Sequence, residues 1–236
     1  MMRRVKYLLL SCLCMYASGL LHGQDGLFLR AGVNACYAPL DSLNGVLARY
    51  NARSNPTKPF GEIHVPLGAT FHLGYAGEKW ILEVAYTGRQ ARAFAETEGN
   101  LGSLTQAVYV KYGAATGEVG LSYRFLPSIA AGLSLDFGAV STKFRMGTRP
   151  QVNTDVYYRS STGVTLGNSA FVQVDIPVSD RISIGARPYF HYNYFLADFV
   201  RLNQSINFNS FLNDPQFILG QTANGGFQAS VAVWLR

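Results

Sequence analysis

Residues 187–193 read Arg187-Pro-Tyr-Phe-His191-Tyr-Asn193, so a guanidinium, an imidazole and an amide share one parity among aromatics. A histidine beside a hydroxyl is the arrangement of nucleophilic catalysis, in which the imidazole takes the proton of the attacking group. Asn193 stands two residues after His191, and an amide does not attack an ester. Metal ligation is the other chemistry open to His64, His72 and His191. The first two are eight residues apart on one predicted strand, too far to share an ion without other ligands. No Gly-x-Ser-x-Gly or His-Glu-x-x-His motif and no carboxylate pair occurs. These residues therefore imply no catalytic group, metal or cofactor, and the question becomes what kind of element carries them.

The chain opens with Met-Met-Arg-Arg-Val-Lys, an apolar run over 7–21 and a small-residue exit, the three parts of a secretory signal peptide. Cleavage is expected after Gly23, giving a signal peptide over 1–23 and one domain over 24–236. The apolar stretch before Cys12 is too short for a lipoprotein box. Of three cysteines only Cys36 then remains, which excludes an internal disulfide. Loss of Arg3, Arg4 and Lys6 leaves 17 basic against 14 acidic residues, a small excess with no basic helix or aromatic-basic platform, so nucleic acid is not an expected partner.

Charged residues make up only 14% of the chain, well under the roughly 25% of a soluble domain, yet no further run approaches the ~18 apolar residues of a membrane helix. What recurs is alternation with period two. It runs through 27–37, 63–75, 80–86, 108–125, 129–139, 170–176, 182–196 and 227–235. Several of these eight segments approach the ~9–11 residues that cross a bilayer. Their connections alternate long and short, as tight periplasmic turns and long external loops would. Tyr75 and Trp80 flank one short turn, and Tyr123 and Phe125 another, like the aromatic girdles at a membrane interface. The pattern is all-β: an eight-stranded antiparallel up-and-down transmembrane β-barrel, closed because hydrocarbon cannot satisfy an open sheet edge.

On this pattern the chain resembles the small eight-stranded outer-membrane β-barrel family of Gram-negative bacteria, a porin-like barrel domain. The closing segment Phe227-Gln-Ala-Ser-Val-Ala-Val-Trp-Leu-Arg236 is similar to that family's assembly signal, although it ends in Arg236 where an aromatic is common. The resemblance implies the cell outer membrane. The tract around His191 is also similar to that of the lipid A deacylase barrels, whose serine is replaced here by Asn193.

One segment breaks the pattern. Tyr112 and Val119 lie on opposite parities, and taking both as lipid-facing requires a bulge at Gly113–Gly117, or else ten strands. Pro188, which removes a ladder donor, predicts a second bulge, a ligand gap being the alternative. With apolar parities turned to lipid, a lumenal network of Arg30, Glu83, Arg89, Lys111, Arg124, Asp136, Asp175, Arg187 and His191 is expected, joined by His64 and His72. Eight strands leave an interior that side chains fill, which argues against a pore. Gln173, Asp175 and Gln228 are the expected neighbours of His191, and Asp175 the partner of Arg187.

Outside, Arg92, Lys143 and Arg145 lie on the lipid-facing parity at external strand ends, where cations would meet lipopolysaccharide phosphates. In the first long loop Leu43, Val46, Leu47 and Tyr50 follow Asp41 at helical spacing. This predicts a helix, N-capped by Asp41, over the barrel mouth or on the outer leaflet. The function expected is non-enzymatic: a structural or loop-mediated binding role in the envelope, with outer-membrane lipid and lipopolysaccharide as partners. The alternatives are an accessory barrel of a secretion system of the type IX kind, touching envelope or secretion proteins through its loops, and a lipid A esterase.

Overall fold

A computed structural model describes residues 24–98, 105–149, 157–194, 198–207 and 223–235. The expected signal peptide over 1–23 lies outside them. Eight antiparallel strands close in chain order, each paired with its sequence neighbours and β8 with β1. They are β1 (Gly26–Tyr37), β2 (Leu67–Ala76), β3 (Trp80–Glu98), β4 (Thr105–Leu126), β5 (Ile129–Arg149), β6 (Tyr158–Ser179), β7 (Ile182–Asn193) and β8 (Ala223–Leu235). Two helices sit at the external end, α1 (Asp41–Ser54) and α2 (Val200–Asn207).

The strands come in two lengths. β1, β2, β7 and β8 have 12, 10, 12 and 13 residues, about one bilayer crossing, whereas β3 to β6 have 19, 22, 21 and 22. The residues over 158–168, expected as loop, are strand for this reason. The long half rises as a wall above the short half, and the two helices fill the space inside that wall.

Two interiors follow. The lower one is polar, with Arg30, Thr70, His72, Glu83, Glu118, Asp136, Arg187 and His191 buried. The upper one is apolar: Leu43, Val46, Leu47 and Tyr50 of α1 and Leu202 and Ile206 of α2 pack on Ala93, Ala95, Val108, Val110 and Tyr112. Val108, Val110 and Tyr112 thus point inward, against the expectation that they face lipid. β4 keeps one register from Thr105 to Tyr123 against both neighbours, so there is no bulge at Gly113–Gly117. Its apolar pattern changes parity because its surroundings change, not because its backbone slips.

Pro188 also leaves the register intact. The β6–β7 ladder opens between Phe171–Tyr189 and Val174–Ala186 and resumes in phase, so the missing donor costs local pairing without a bulge.

Polar side chains tie α1 to its return segment. The Asn44 amide donates to the Ile63 carbonyl at 3.1 Å and accepts from the Ile63 N–H at 2.9 Å, and Asn51 holds Phe60 in the same way at 3.0 and 2.8 Å. Asn207 of α2 donates to the Val46 carbonyl at 3.2 Å. Asp41 is the first residue of α1, not its cap; Leu40 holds the cap position with no side-chain bond. Asn55 ends the helix in the left-handed region at φ 40°, which asparagine tolerates.

Candidate functional site

The lower lumen is a chain of mutually paired groups. Arg30 Nη2 donates to both Asp175 carboxylate oxygens at 2.9 and 2.8 Å, and its Nη1 lies 4.0 Å from Glu83. Glu83 also binds Arg187, whose guanidinium lies 3.5 Å over the Phe171 ring, and lies 3.4 Å from His72 Nδ1. Thr70 links His72 at 2.8 Å to Thr87 at 3.1 Å, and Thr87 donates to Glu118 at 2.9 Å. Arg89 donates through Nε to Asn34 at 2.8 Å. Arg124 lies lower, at the periplasmic mouth, where it pairs with Asp25 at 2.6 Å.

Eight of the nine expected network residues therefore face inward, but their partners differ from those expected. Arg187 pairs with Glu83 across the lumen and not with Asp175 across a turn. Its own cross-strand neighbour is Gln228. Lys111 is the exception: it shares the outward parity of Val119 and Leu121. His64 precedes β2, half-exposed, bonded to Glu62 at 2.7 Å and stacked on Tyr37.

His191 reaches groups that the expectation omitted. Its Nδ1 lies 2.7 Å from Asp136 and 3.0 Å from the Ser169 hydroxyl, which itself donates to Asp136. Its Nε2 faces the Asn193 amide at 2.7 Å. A catalytic relay places acid and nucleophile on opposite ring nitrogens. Here serine and aspartate share Nδ1, and Nε2 is occupied. The gap beside these groups is about 10 Å³, no more than one water needs. The geometry is that of a packed hydrogen-bond knot.

The outer surface has the opposite chemistry. Leu29, Leu73, Val84, Leu121, Leu135, Phe190 and Val231 all point outward, Leu29 half exposed, on seven different strands. β6 adds Val164 and Val172. The apolar belt is thus continuous around a closed sheet. Trp80 and Tyr123 meet edge-to-face at 5.1 Å on its periplasmic border, and Tyr37 and Tyr192 lie near its external border.

The chain is an eight-stranded outer-membrane β-barrel. No family model matches it, and no curated protein matches it either. Among solved structures it is similar to the attachment invasion locus protein Ail of Yersinia pestis, crystallised in complex with the heparin analogue sucrose octasulfate. There the identity is 10%, 89% of this chain and 98% of that chain are covered, and the TM-score is 0.45. Neisserial surface protein A (NspA) is 12% identical over 91% of this chain and 100% of its own, at 0.42. OprG of Pseudomonas aeruginosa is 9% identical over 91% and 98%, at 0.39.

At the top of the barrel's belt the outward residues turn basic. Arg92 pairs with Lys111, Lys111 with Lys143, and Lys143 with Arg159, one row of cations across β3, β4, β5 and β6. Arg92 and Lys143 were expected there; Lys111 and Arg159 were not. Arg145 lies one outward position higher and stacks over Tyr109 at 4.4 Å. The twelve positions from Trp80 to Arg92, at ~3.3 Å each and a tilt of about 40°, rise roughly 30 Å, just past a belt about 25 Å tall.

Proposed function

We propose that this outer-membrane barrel is non-enzymatic and acts through its external surface, binding components of the envelope. The observation that carries the reading is the double filling of the barrel. A paired polar network occupies the lower lumen and an apolar helical cap the upper one. Among the described residues, the space between them that touches Tyr112 and His191 amounts to about 30 Å³, too small for a substrate. The shared Nδ1 of His191 supports the absence of esterase chemistry. A packed cap also fixes the outward face of α1, where Ala48, Ala52 and Arg53 are exposed, as a rigid platform.

Photo-cross-linkers at Ala48 and Ala52 in intact cells test this, together with mass spectrometry of lipid A with and without the gene. Discrete adducts to an envelope component, with lipid A acylation unchanged, are expected. No adduct from either position, or altered acylation, overturns the proposal. Adducts confined to secretion proteins would instead establish the accessory-barrel reading.

A further inference from the structure

Four cations in one cross-strand row are an unfavourable arrangement by themselves. Directly opposed side chains on neighbouring strands have their Cβ atoms only ~4.5–5.5 Å apart, and like charges there repel. Among the described residues, no carboxylate pairs with Arg92, Lys111, Lys143 or Arg159. The lumen of the same barrel, by contrast, sets Arg30 and Arg187 against the carboxylates of Asp175 and Glu83. Among the described residues the row has no counter-charge.

Directly below the row the belt is hollowed. Gly88, Gly113, Ala115, Ala139 and Ser141 succeed one another on adjacent strands, where the rest of the belt carries leucine, valine and aromatics. They floor a trough of about 520 Å³ whose upper edge is Lys111, Lys143 and Arg159. That volume falls within the roughly 300–1,000 Å³ of ligand sites. Tyr86 leans beside Gly88, and the Phe137 ring lies on Gly117, two residues below Ala115 on β4. The floor faces hydrocarbon and the edge lies at headgroup height.

We infer that this surface seats one phosphorylated, acylated lipid of the outer leaflet, the lipid A part of lipopolysaccharide, with its phosphates on the Arg92–Lys111–Lys143–Arg159 row and an acyl chain in the trough. The inference deepens the surface-binding reading and rests on it. A guanidinium at each end of the row, with two ammonium groups between them, matches a headgroup with more than one phosphate. A second copy of the chain does not fit, because it would bring the same cations face to face.

The test uses the folded barrel purified in detergent, titrated with bisphosphorylated lipid A, with dephosphorylated lipid A and with phosphatidylglycerol, and read by native mass spectrometry. Two variants separate headgroup from chain. Arg92→Gln/Lys111→Gln/Lys143→Gln/Arg159→Gln removes the charge. Gly113→Leu fills the trough, since a Cβ there meets Ser141 Oγ at 3.4 Å and backbone oxygens no nearer than 3.9 Å. Both should keep the heat-dependent gel shift of a closed barrel. Wild type should prefer bisphosphorylated lipid A over the other two lipids. The quadruple variant should bind it on the order of 100-fold more weakly, and Gly113→Leu about tenfold more weakly. Equal binding of dephosphorylated lipid A or of phosphatidylglycerol overturns the inference, as does wild-type affinity in Gly113→Leu. Displacement by inorganic phosphate alone would overturn the acyl seat. None of these results bears on cross-linking from α1, so the two proposals fail separately.

Discussion

Below Gly113, β4 buries Thr116, Glu118 and Ser122 and turns Val119, Leu121 and Tyr123 outward; above it, the same parity buries Tyr112, Val110 and Val108 and turns Lys111 outward. One unbroken strand therefore carries two opposite polarity codes. In the lower region hydrocarbon lies outside and a paired polar network inside. In the upper region water lies outside and the apolar faces of α1 and α2 inside. An alternating pattern reports which face is apolar, but not which face is inner. Where the pattern inverts without a register shift, the solvent has changed, and that point locates the membrane boundary.

The two regions should also respond differently to damage. The largest effect is expected in the lumen, where Arg187→Ala strands the buried carboxylate of Glu83. Losing one partner of a buried ion pair costs on the order of 3–5 kcal/mol. The temperature of the gel shift should fall well below that of wild type, and an unchanged temperature would mean that Glu83 relies on Arg30 and His72 alone. In the cap, Leu47→Ala should cost about 2–5 kcal/mol locally. Hydrogen exchange should rise in α1 and α2 while the strands stay protected; loss of the whole barrel would show that the two interiors fold as one.

Charge on the outer face discriminates more finely. Val119→Arg places a cation against hydrocarbon and should cost about 2–4 kcal/mol in a folding assay in lipid vesicles, whereas Lys111→Ala, eight residues higher, should change stability little. Similar penalties at both positions would put Lys111 inside the belt. His191→Ala should be the mildest lumenal change, about 1–3 kcal/mol, because Asp136 keeps the hydroxyls of Ser134 and Ser169.

Strand number, closure and most inward-facing residues were legible in the sequence because β1, β2, β7 and β8 stay in one environment along their length. β4 was misread because it does not. The partners of the lumenal charges could not be read. Arg187 and Glu83 belong to β7 and β3, which never pair, and meet only through the curvature of the closed sheet. Periodicity assigns a face and says nothing of the groups across a lumen. α1 showed through its apolar stripe, whereas α2, eight residues long with only Leu202 and Ile206 buried among its apolar positions, gave too short a signal. The basic row was half visible. Arg92 and Lys143 stood on the expected parity, but the supposed bulge in β4 sent Lys111 inward and hid the alignment.

The inversion of polarity on one unbroken strand is measured directly by a spin-label scan of β4 in lipid vesicles, with Cys36 replaced by serine. Labels at Leu121, Val119 and Ala115 should be relaxed by oxygen dissolved in the bilayer, and a label at Tyr109 by a water-soluble nickel complex, with the crossover close to Lys111. Labels at Val108, Val110 and Tyr112 should be shielded from both. Oxygen access at Val108 and Val110 together with a shielded Lys111 would mean that the strand slips between Gly113 and Gly117, and would contradict the account.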